Sequence, residues 1–115
     1  GTVVAFEPEQ KNTDILEENV KINHLNNVRI SAAALGDKNE TKYLYRNLKQ
    51  GIGGYSLIGG EGRKKWREVE IKRGDDLVKI NKFPIPKAVK IDVEGFEFPV
   101  LKGLRHILEN DIYII

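Results

Sequence analysis

The chain has 115 residues, of which 40% are hydrophobic and 31% are charged, with a formal net charge of +2. This size and balance predict a single soluble globular domain, and no apolar run approaches the roughly 18–20 residues that a membrane span requires. The sequence contains no cysteine, which excludes a disulfide framework and a thiolate metal site and favours the cytoplasm.

The net charge conceals three blocks of different sign. Residues 1–41 carry four basic and seven acidic side chains, residues 42–90 carry thirteen and five, and residues 91–115 carry two and five. A solvated, lysine-rich insertion is the simpler explanation of the basic middle segment. The functional explanation is electrostatic steering of an anionic ligand.

The first third of the chain has the pattern of a strand, a helix and a second strand. Thr2–Phe6 is a short apolar run rich in β-branched residues, which is typical of a strand covered on both faces. Pro8 suits the first turn of a helix that continues to about His24. Val28–Leu35 then predicts a second strand that ends at Gly36. This order begins a βαβ unit and predicts a parallel sheet.

The middle of the chain predicts a β-rich insertion. Tyr43–Tyr45 has the pattern of a short strand, and Glu68–Lys72 alternates polar and apolar residues like a strand with one wet face. Between them Gln50–Gly62 contains six glycines, which predicts a mobile loop. Asp75 or Asp76 is expected to cap a short helix that ends near residue 80.

The last third returns to the α/β pattern. Ala88–Val93 predicts a third core strand, Glu97–Asn110 an amphipathic helix, and Asp111–Ile115 a fourth strand. We therefore predict an α/β fold with a mostly parallel sheet, flanking helices and the insertion in the middle.

Glu7 is the first candidate functional residue because it follows a predicted buried strand directly. Ligands of open α/β sheets bind at this carboxyl edge, and the two oxygens of a carboxylate can accept both hydroxyls of a ribose. The simpler interpretation is a surface carboxylate favoured by the positive end of the following helix.

Leu35, Gly36 and Asp37 end the next predicted strand at the same edge. A glycine permits close approach of a flat base, and Asp37 can accept a hydrogen bond from an exocyclic amine. A plain turn between strand and loop is the simpler interpretation.

The segment KIDVEGFEFPVLKGL places three carboxylates in an apolar stretch. Asp92 and Glu94 are two residues apart and would share one face of a strand, whereas Glu97 falls in the first turn of a helix and needs no chemical role. Because Ile91 and Val93 flank Asp92, we expect a partly desolvated carboxylate with a raised pKa that serves as a general base. The alternative is an aspartate that accepts hydrogen bonds from backbone amides.

Two further motifs have less specific patterns. GIGGYSLIGG has Ser56 where the G-x-G-x-x-G fingerprint requires glycine, so we interpret it as a flexible lid or substrate loop with Tyr55 and Ser56 as contacts. RKKWR, Arg63–Arg67, places Trp66 among four cations, a weak signal for single-stranded nucleic acid. Neither histidine has a partner cluster, and no metal-ligand spacing is visible.

Taken in order, the segments VVAFEPEQ, ENVKINHLNN, AAALGD, GGYSL and KIDVEGFEFPVLKGL resemble the FkbM-type family of S-adenosylmethionine-dependent methyltransferases over nearly the whole chain. The resemblance implies a class I, Rossmann-like fold and O-methylation of a hydroxyl, often on a sugar or a natural product. It implies that Glu7 holds the cofactor ribose and that Asp92 and Glu94 face the methyl-transfer site. The residues that would line the adenine are Ala34, Leu35, Gly36 and Asp37.

The family pattern also contains an earlier strand and a glycine-rich turn that precede AFEP and grip the methionine end of the cofactor. We expect that strand, which would lie between Thr2–Phe6 and Ala88–Val93, to be missing here. We also expect the strands that follow Ile115 in the family pattern to be missing. We expect either a piece of a longer enzyme or direct pairing of the two inner strands. Both cases predict poor cofactor binding by the isolated chain, and unpaired edges would favour self-association.

The rival hypothesis is a non-catalytic Rossmann-like module that binds RNA or another anion through the basic middle segment. A catalytic RNA methyltransferase would need both properties. No membrane partner is expected.

Overall fold

A computed structural model describes residues 1–49, 54–80 and 82–115 and shows an α/β fold. The strands are β1 (Val3–Phe6), β2 (Val28–Ser31), β3 (Ala34–Leu35), β4 (Glu40–Asn47), β5 (Tyr55–Ser56), β6 (Arg63–Lys72), β7 (Ala88–Val89) and β8 (Tyr113–Ile114). The helices are α1 (Gln10–Ile22), α2 (Gly74–Lys79), α3 (Glu97–Gly103) and a 3₁₀ turn (Ile107–Glu109). No helix in these described ranges is long and apolar enough to cross a membrane.

Within the described residues the strands form three separate sheets, in contrast to the one mostly parallel sheet that the sequence pattern predicts. β1 pairs with β2 and β7 with β8, both in parallel, and the third sheet has the order β3-β6-β4-β5. β3 lies parallel to β6, but the long β4–β6 ladder is antiparallel. Alternating polar residues leave one face of this ladder wet, as is common for antiparallel sheets.

The predicted strand Val28–Leu35 is two strands that belong to different sheets. The chain bends at Ala32 and Ala33, after which Ala34 is in register with Ile71 of β6. Ala33 and Ala34 are both buried. The bend has no glycine or proline to mark it, and small apolar residues continue through it, so the sequence pattern shows no break.

The predicted third strand and last helix are also shorter than expected. Strand β7 ends at Val89, although the Ile91 amide still donates a hydrogen bond to the Ile115 carbonyl at 3.0 Å, and residues 92–96 follow an irregular path. The helix that begins at Glu97 ends at Gly103, where a residue with low helix propensity coincides with a change of direction. Glu97 lies in the first turn of α3, and its Oε1 accepts a hydrogen bond from the Gly95 amide at 3.2 Å, in agreement with a helix-start role.

Asp75 caps a different element from the one predicted. Its carboxylate is buried and accepts hydrogen bonds from the amides of His106 (3.1 Å) and Ile107 (3.0 Å) at the start of the 3₁₀ turn. The N-cap of α2 is Arg73, which makes no side-chain capping bond. Asp75 therefore joins α2 to the segment after α3.

The core consists of two clusters of buried side chains that share Leu57 as a neighbour. One cluster comprises Ala34, Leu44, Val69 and Ile71, and the other comprises Phe96, Val100, Leu104 and Ile107. Helix α3 packs closely on the end of β3, since a Cβ atom on Gly103 would overlap the backbone carbonyl of Gly36. Strands β1 and β2 contribute no fully buried residue.

The two inner strands of the expected fold do not meet. Within the described residues β1 is paired with β2 alone and β7 with β8 alone. The expected alternative in which β1 and β7 pair directly is therefore wrong, and each of the two parallel pairs has an outer edge without a strand partner in the described part of the chain.

Candidate functional site

Glu7 lies at the carboxyl end of β1, where the sequence predicts a ligand site. Its Oε1 accepts a hydrogen bond from the amide of Glu9 at 2.8 Å, and its backbone carbonyl accepts one from Thr13 Oγ1 at 3.0 Å. The side chain is half-buried. In the described part of the chain no hydrogen bond uses Oε2, so one carboxylate oxygen is available to a ligand.

Glu9 is a functional candidate that the sequence analysis did not identify. It is the N-cap of α1 and is only 3% exposed. Its Oε2 accepts a hydrogen bond from Trp66 Nε1 at 3.0 Å, and its Oε1 lies 3.8 Å from Arg67 Nη1. We call Glu9, Trp66 and Arg67 the Glu9 junction. The junction places β6 against the start of α1, directly beside Glu7.

A β-bulge explains how two consecutive residues reach one carboxylate. Side chains of a regular strand alternate between faces, so Trp66 and Arg67 would point in opposite directions. Leu44 is in register with Arg67 and Tyr45 with Lys65, which leaves Trp66 as the extra residue of β6. A bulge of this kind redirects a side chain and is common beside active sites.

Ser56 and Glu94 are brought together on the other side of the β-rich insertion. Ser56 is buried and its Oγ donates a hydrogen bond to the Glu94 carbonyl at 2.9 Å. Arg63 Nη2 lies 3.9 Å from Glu94 Oε2. Tyr55 lies beside Trp66, with ring centroids 6.2 Å apart. The insertion therefore connects the Glu9 junction to the loop that contains Glu94.

The expected burial of Asp92 is wrong. Its side chain is 82% exposed, and its Oδ2 lies 2.7 Å from Lys90 Nζ. The hydrogen bond and the positive charge of Lys90 lower the pKa of Asp92 below its ordinary value, whereas the sequence analysis expected a raised pKa. Asp92 follows the last backbone hydrogen bond between the β7 and β8 segments, from the Ile91 amide to the Ile115 carbonyl, and in the described residues no strand pairs with this position.

Gly36 and Asp37 face α3. A Cβ atom on Gly36 would lie 2.5 Å from Ile71 Cγ2 and 3.1 Å from Phe96 Cε1, so the space that glycine leaves is occupied by the core. Asp37 Oδ2 lies 3.4 Å from Lys102 Nζ. The absence of a side chain at Gly36 thus serves helix packing, in contrast to the expected approach of a flat base, while Asp37 remains partly exposed.

The remaining sequence motifs are partly in regular structure where they are described. Residues 50–53 of the glycine-rich segment lie outside the described residues, but Tyr55 and Ser56 form β5, which pairs with β4. RKKWR is the first half of β6 and belongs to a long ladder. Groups of three or more His, Asp or Glu side chains that could hold a metal ion do not occur in the ranges that the structure describes.

Two shallow cavities on the described surface are lined by residues other than Glu7, Asp92 and the Glu9 junction. One of about 320 Å³ is lined by Phe98, Leu101, Lys102, Arg105, Leu108 and Glu109. The other, of about 390 Å³, is lined mainly by residues of α2 and of the segment around the 3₁₀ turn. Their linings contain none of the sequence-predicted site residues.

A comparison with known families decides the classification. The family model described as the methyltransferase FkbM domain matches residues 1–115. The chain belongs to the FkbM methyltransferase family. The resemblance drawn from the sequence segments is thereby confirmed.

A solved FkbM structure has the same fold. The FkbM methyltransferase from Methylobacillus flagellatus KT superimposes with a TM-score of 0.67 over 98% of this chain at 17% sequence identity. The superposition covers 24% of that protein's chain.

A second known protein is similar to this chain over a shorter stretch. The hexuronic acid methyltransferase AglP of Haloferax volcanii is 45% identical over 42 residues, which are 36% of this chain and 18% of AglP. The chain thus spans less than a quarter of the length of the relatives it matches.

Proposed function

We propose that the protein acts in S-adenosylmethionine-dependent O-methyl transfer to a hydroxyl of a sugar or a natural product. The observation that supports this proposal is the match of the FkbM family model to residues 1–115. Similarity to a hexuronic acid methyltransferase favours a sugar or sugar acid as the acceptor.

Glu7 fits the role of ribose ligand. It lies at the carboxyl end of a parallel strand, and Oε2 has no partner in the described ranges. The bond from the Glu9 amide to Oε1 orients the carboxylate and leaves that oxygen a second lone pair. Both oxygens can therefore accept a hydroxyl without loss of an existing contact.

The Ala34–Asp37 segment fits adenine only in part. Ala34 and Gly36 are buried, and the Cα of Gly36 is covered by Ile71 and Phe96. Asp37 is the member of the segment whose side chain can reach a ligand, at the expense of its ion pair with Lys102. We therefore assign recognition of the exocyclic amine of adenine to Asp37. We do not assign Gly36 a surface on which the base stacks.

The cofactor, when bound, would supply the methyl group, and the protein positions the reactants and accepts the hydroxyl proton. The proton would move to a carboxylate oxygen of Asp92 or Glu94. Asp92 is accessible, but Lys90 lowers its pKa and so makes it a weaker base than an isolated aspartate. A sugar hydroxyl that displaces Lys90 from Oδ2 would remove the hydrogen-bond part of that effect.

Titration calorimetry with S-adenosylhomocysteine tests the cofactor proposal. We expect binding weaker than micromolar, and about tenfold further weakening in Glu7→Ala through loss of a charge-assisted hydrogen bond. Glu17→Ala, on the exposed face of α1, is the control. Equal affinity of Glu7→Ala and the unmodified protein would exclude the ribose role, and micromolar binding would contradict the expectation of poor affinity.

Methyl transfer to a sugar hydroxyl tests the base. If Asp92 accepts the proton, Asp92→Asn in a full-length enzyme that contains this segment lowers kcat by roughly 10²–10⁴-fold. Unchanged turnover in Asp92→Asn together with a loss in Glu94→Gln would move the role to Glu94.

The second candidate function is a non-catalytic module that binds RNA or another anion, and the basic residues of β6 favour it. Salt-dependent retention on heparin or RNA that is lost on replacement of Lys64, Lys65 and Arg67 would support this function. Arg67 already faces Glu9, so we expect the two lysines to contribute most.

A further inference from the structure

Trp66 is held in a fixed position although much of it is exposed to solvent. The side chain is 49% exposed, yet its indole N–H donates to Glu9, which is buried. A buried carboxylate needs hydrogen-bond partners, so the orientation of the indole is coupled to the stability of the α1 start. An amphipathic ring that is exposed and preoriented loses little conformational freedom when it binds a ligand.

Two cations lie opposite each other on the β4–β6 ladder, and one of them lies over this ring. The Arg46 guanidinium is 5.5 Å from the Trp66 ring centroid, and Arg46 is in register with Lys64 across the β4–β6 ladder. Like charges at directly opposed positions destabilise a sheet. In the part of the chain that the structure describes, neither cation forms an ion pair with an acidic side chain. An anionic ligand would relieve this repulsion.

We propose that Trp66, Arg46 and Lys64 form a subsite for a carboxylate-bearing sugar ring of the acceptor. The apolar face of the ring packs on the exposed part of the indole, and the carboxylate pairs with Arg46 and Lys64. This inference rests on the proposed function, because that function supplies the sugar acceptor. The Glu9 junction places the subsite beside Glu7, so a ring bound there lies near the proposed ribose ligand.

The geometry favours a single acidic ring over a nucleic acid strand. Arg46 is three residues from Tyr43, and alternation along β4 puts them on opposite faces. A second aromatic–cation pair of the β4–β6 ladder, Lys65 over Tyr43 at 4.4 Å, therefore lies on the other side of the sheet from Arg46. A single strand needs successive rings on one surface together with a continuous basic track, whereas on the Trp66 side the described residues offer one further ring, Tyr55 at 6.2 Å, and the two opposed cations Arg46 and Lys64.

Fluorescence of Trp66, the only tryptophan of the chain, reports binding directly. The probes are oligomers of galacturonic acid and the same oligomers as methyl esters, which keep the ring but lose the charge. We expect the acid to shift the emission and to bind about tenfold more tightly than the ester, as one charge-assisted hydrogen bond implies. Equal affinities for acid and ester, or no response to the acid at millimolar concentration, would overturn the proposal.

Three variants identify the residues. Arg46→Ala and Lys64→Ala should each weaken binding of the acid by about tenfold and leave the ester unchanged. Arg105→Ala, an exposed arginine beside a separate cavity, should change neither. Circular dichroism verifies that each variant is folded. If Arg46→Ala and Arg105→Ala bind the acid equally well, the subsite is not at Trp66.

A single-stranded RNA oligomer of equal charge is the competing probe. Tighter binding of the RNA than of the galacturonate would overturn the proposal in favour of the nucleic-acid module. The experiment needs neither cofactor nor turnover. If the protein binds the acid but not S-adenosylhomocysteine, the subsite is supported and the methyl-transfer function is not. If it binds S-adenosylhomocysteine but not the acid, the subsite is excluded and the methyl-transfer proposal is retained.

Discussion

The sheet built around β6 and the strand pair β1–β2 differ in how they are held. Buried side chains from β3, β4 and β6 form one core cluster, and α3 and the 3₁₀ turn close a second one beside it. β1 and β2 have no fully buried residue, yet β1 leads directly into Glu7. The packed region thus acts as a scaffold, and the candidate ligand residue lies on a loosely packed strand pair that the Glu9 junction ties to it. The position of Glu7 depends on hydrogen bonds with the Glu9 amide, Thr13 and Ser31, and the junction connects this turn to the scaffold.

The largest effect is expected within the scaffold, at Gly103. In Gly103→Ala the new Cβ would overlap the Gly36 carbonyl and push α3 away from β3. Overpacking against backbone cannot relax through rotamers, so we expect a loss of about 3 kcal/mol or more in the free energy of unfolding, measured with urea. Lys102→Ala, the neighbouring exposed position, should cost under about 1 kcal/mol because it removes only a surface ion pair. Similar stabilities of the two variants would contradict close packing of α3 on β3.

Asp75 is the next test, because it is a buried carboxylate within the scaffold. Asp75→Ala leaves the amides of His106 and Ile107 without their acceptor, and we expect a loss of about 2 kcal/mol, as for other capping residues. Denaturant unfolding gives the value. The matched control is Asp76→Ala, whose carboxylate pairs with Arg73 and Asn39 at the surface. A larger effect at Asp76 would show that α2 is capped as the sequence pattern predicted.

Glu9→Ala tests the junction between the two regions. It removes the acceptor of the Trp66 indole and the partner of Arg67, so we expect a loss of about 1 kcal/mol and a shift of the tryptophan emission towards that of a solvated indole. Glu18→Ala on the exposed face of α1 is the control. Emission that remains unchanged in Glu9→Ala would mean that the junction does not orient Trp66.

The smallest effect is expected at the exposed Asp92–Lys90 pair. Lys90 lowers the pKa of Asp92, so its contribution to stability is present above the ordinary value of 3.8 and is lost as the pH falls through the lower folded-state pKa. In Lys90→Gln the carboxyl resonance of Asp92 should titrate at a higher pH than in the unmodified protein. Lys87→Gln should leave the titration unchanged. Identical titration curves in both variants would exclude the Lys90 contact.

The sequence predicted the α/β class, the helix after Glu7 and the strands of the insertion, because each has a local periodic signal. It did not predict the division at Ala32 and Ala33, where no turn residue marks the change of sheet. The exposure of Asp92 depends on where β7 stops pairing, which the apolar neighbours Ile91 and Val93 do not reveal. These outcomes depend on contacts between distant segments, which local patterns do not encode.

Glu9 was missed for a related reason. Glutamate is an uncommon N-cap, and its partner Trp66 is remote in the sequence and belonged to a motif with a plausible role in nucleic-acid binding. No glycine in the sequence marks the bulge that redirects Trp66. A tryptophan within a basic run was the only local signal, and it indicated a ligand rather than an internal carboxylate.

The hydrogen bond between Trp66 and Glu9 joins residues that are 57 positions apart in the chain. Contacts of such wide separation close large loops and carry a large entropic cost before they form, whereas the antiparallel β4–β6 ladder and the helices assemble from nearer neighbours. We therefore expect the strand pair with Glu7 to dock late during folding, and its amide protons to exchange with deuterium sooner than those of Leu44 and Ile71. Mild warming would then detach the β1–β2 pair, together with Glu7, while the remainder of the protein stays folded.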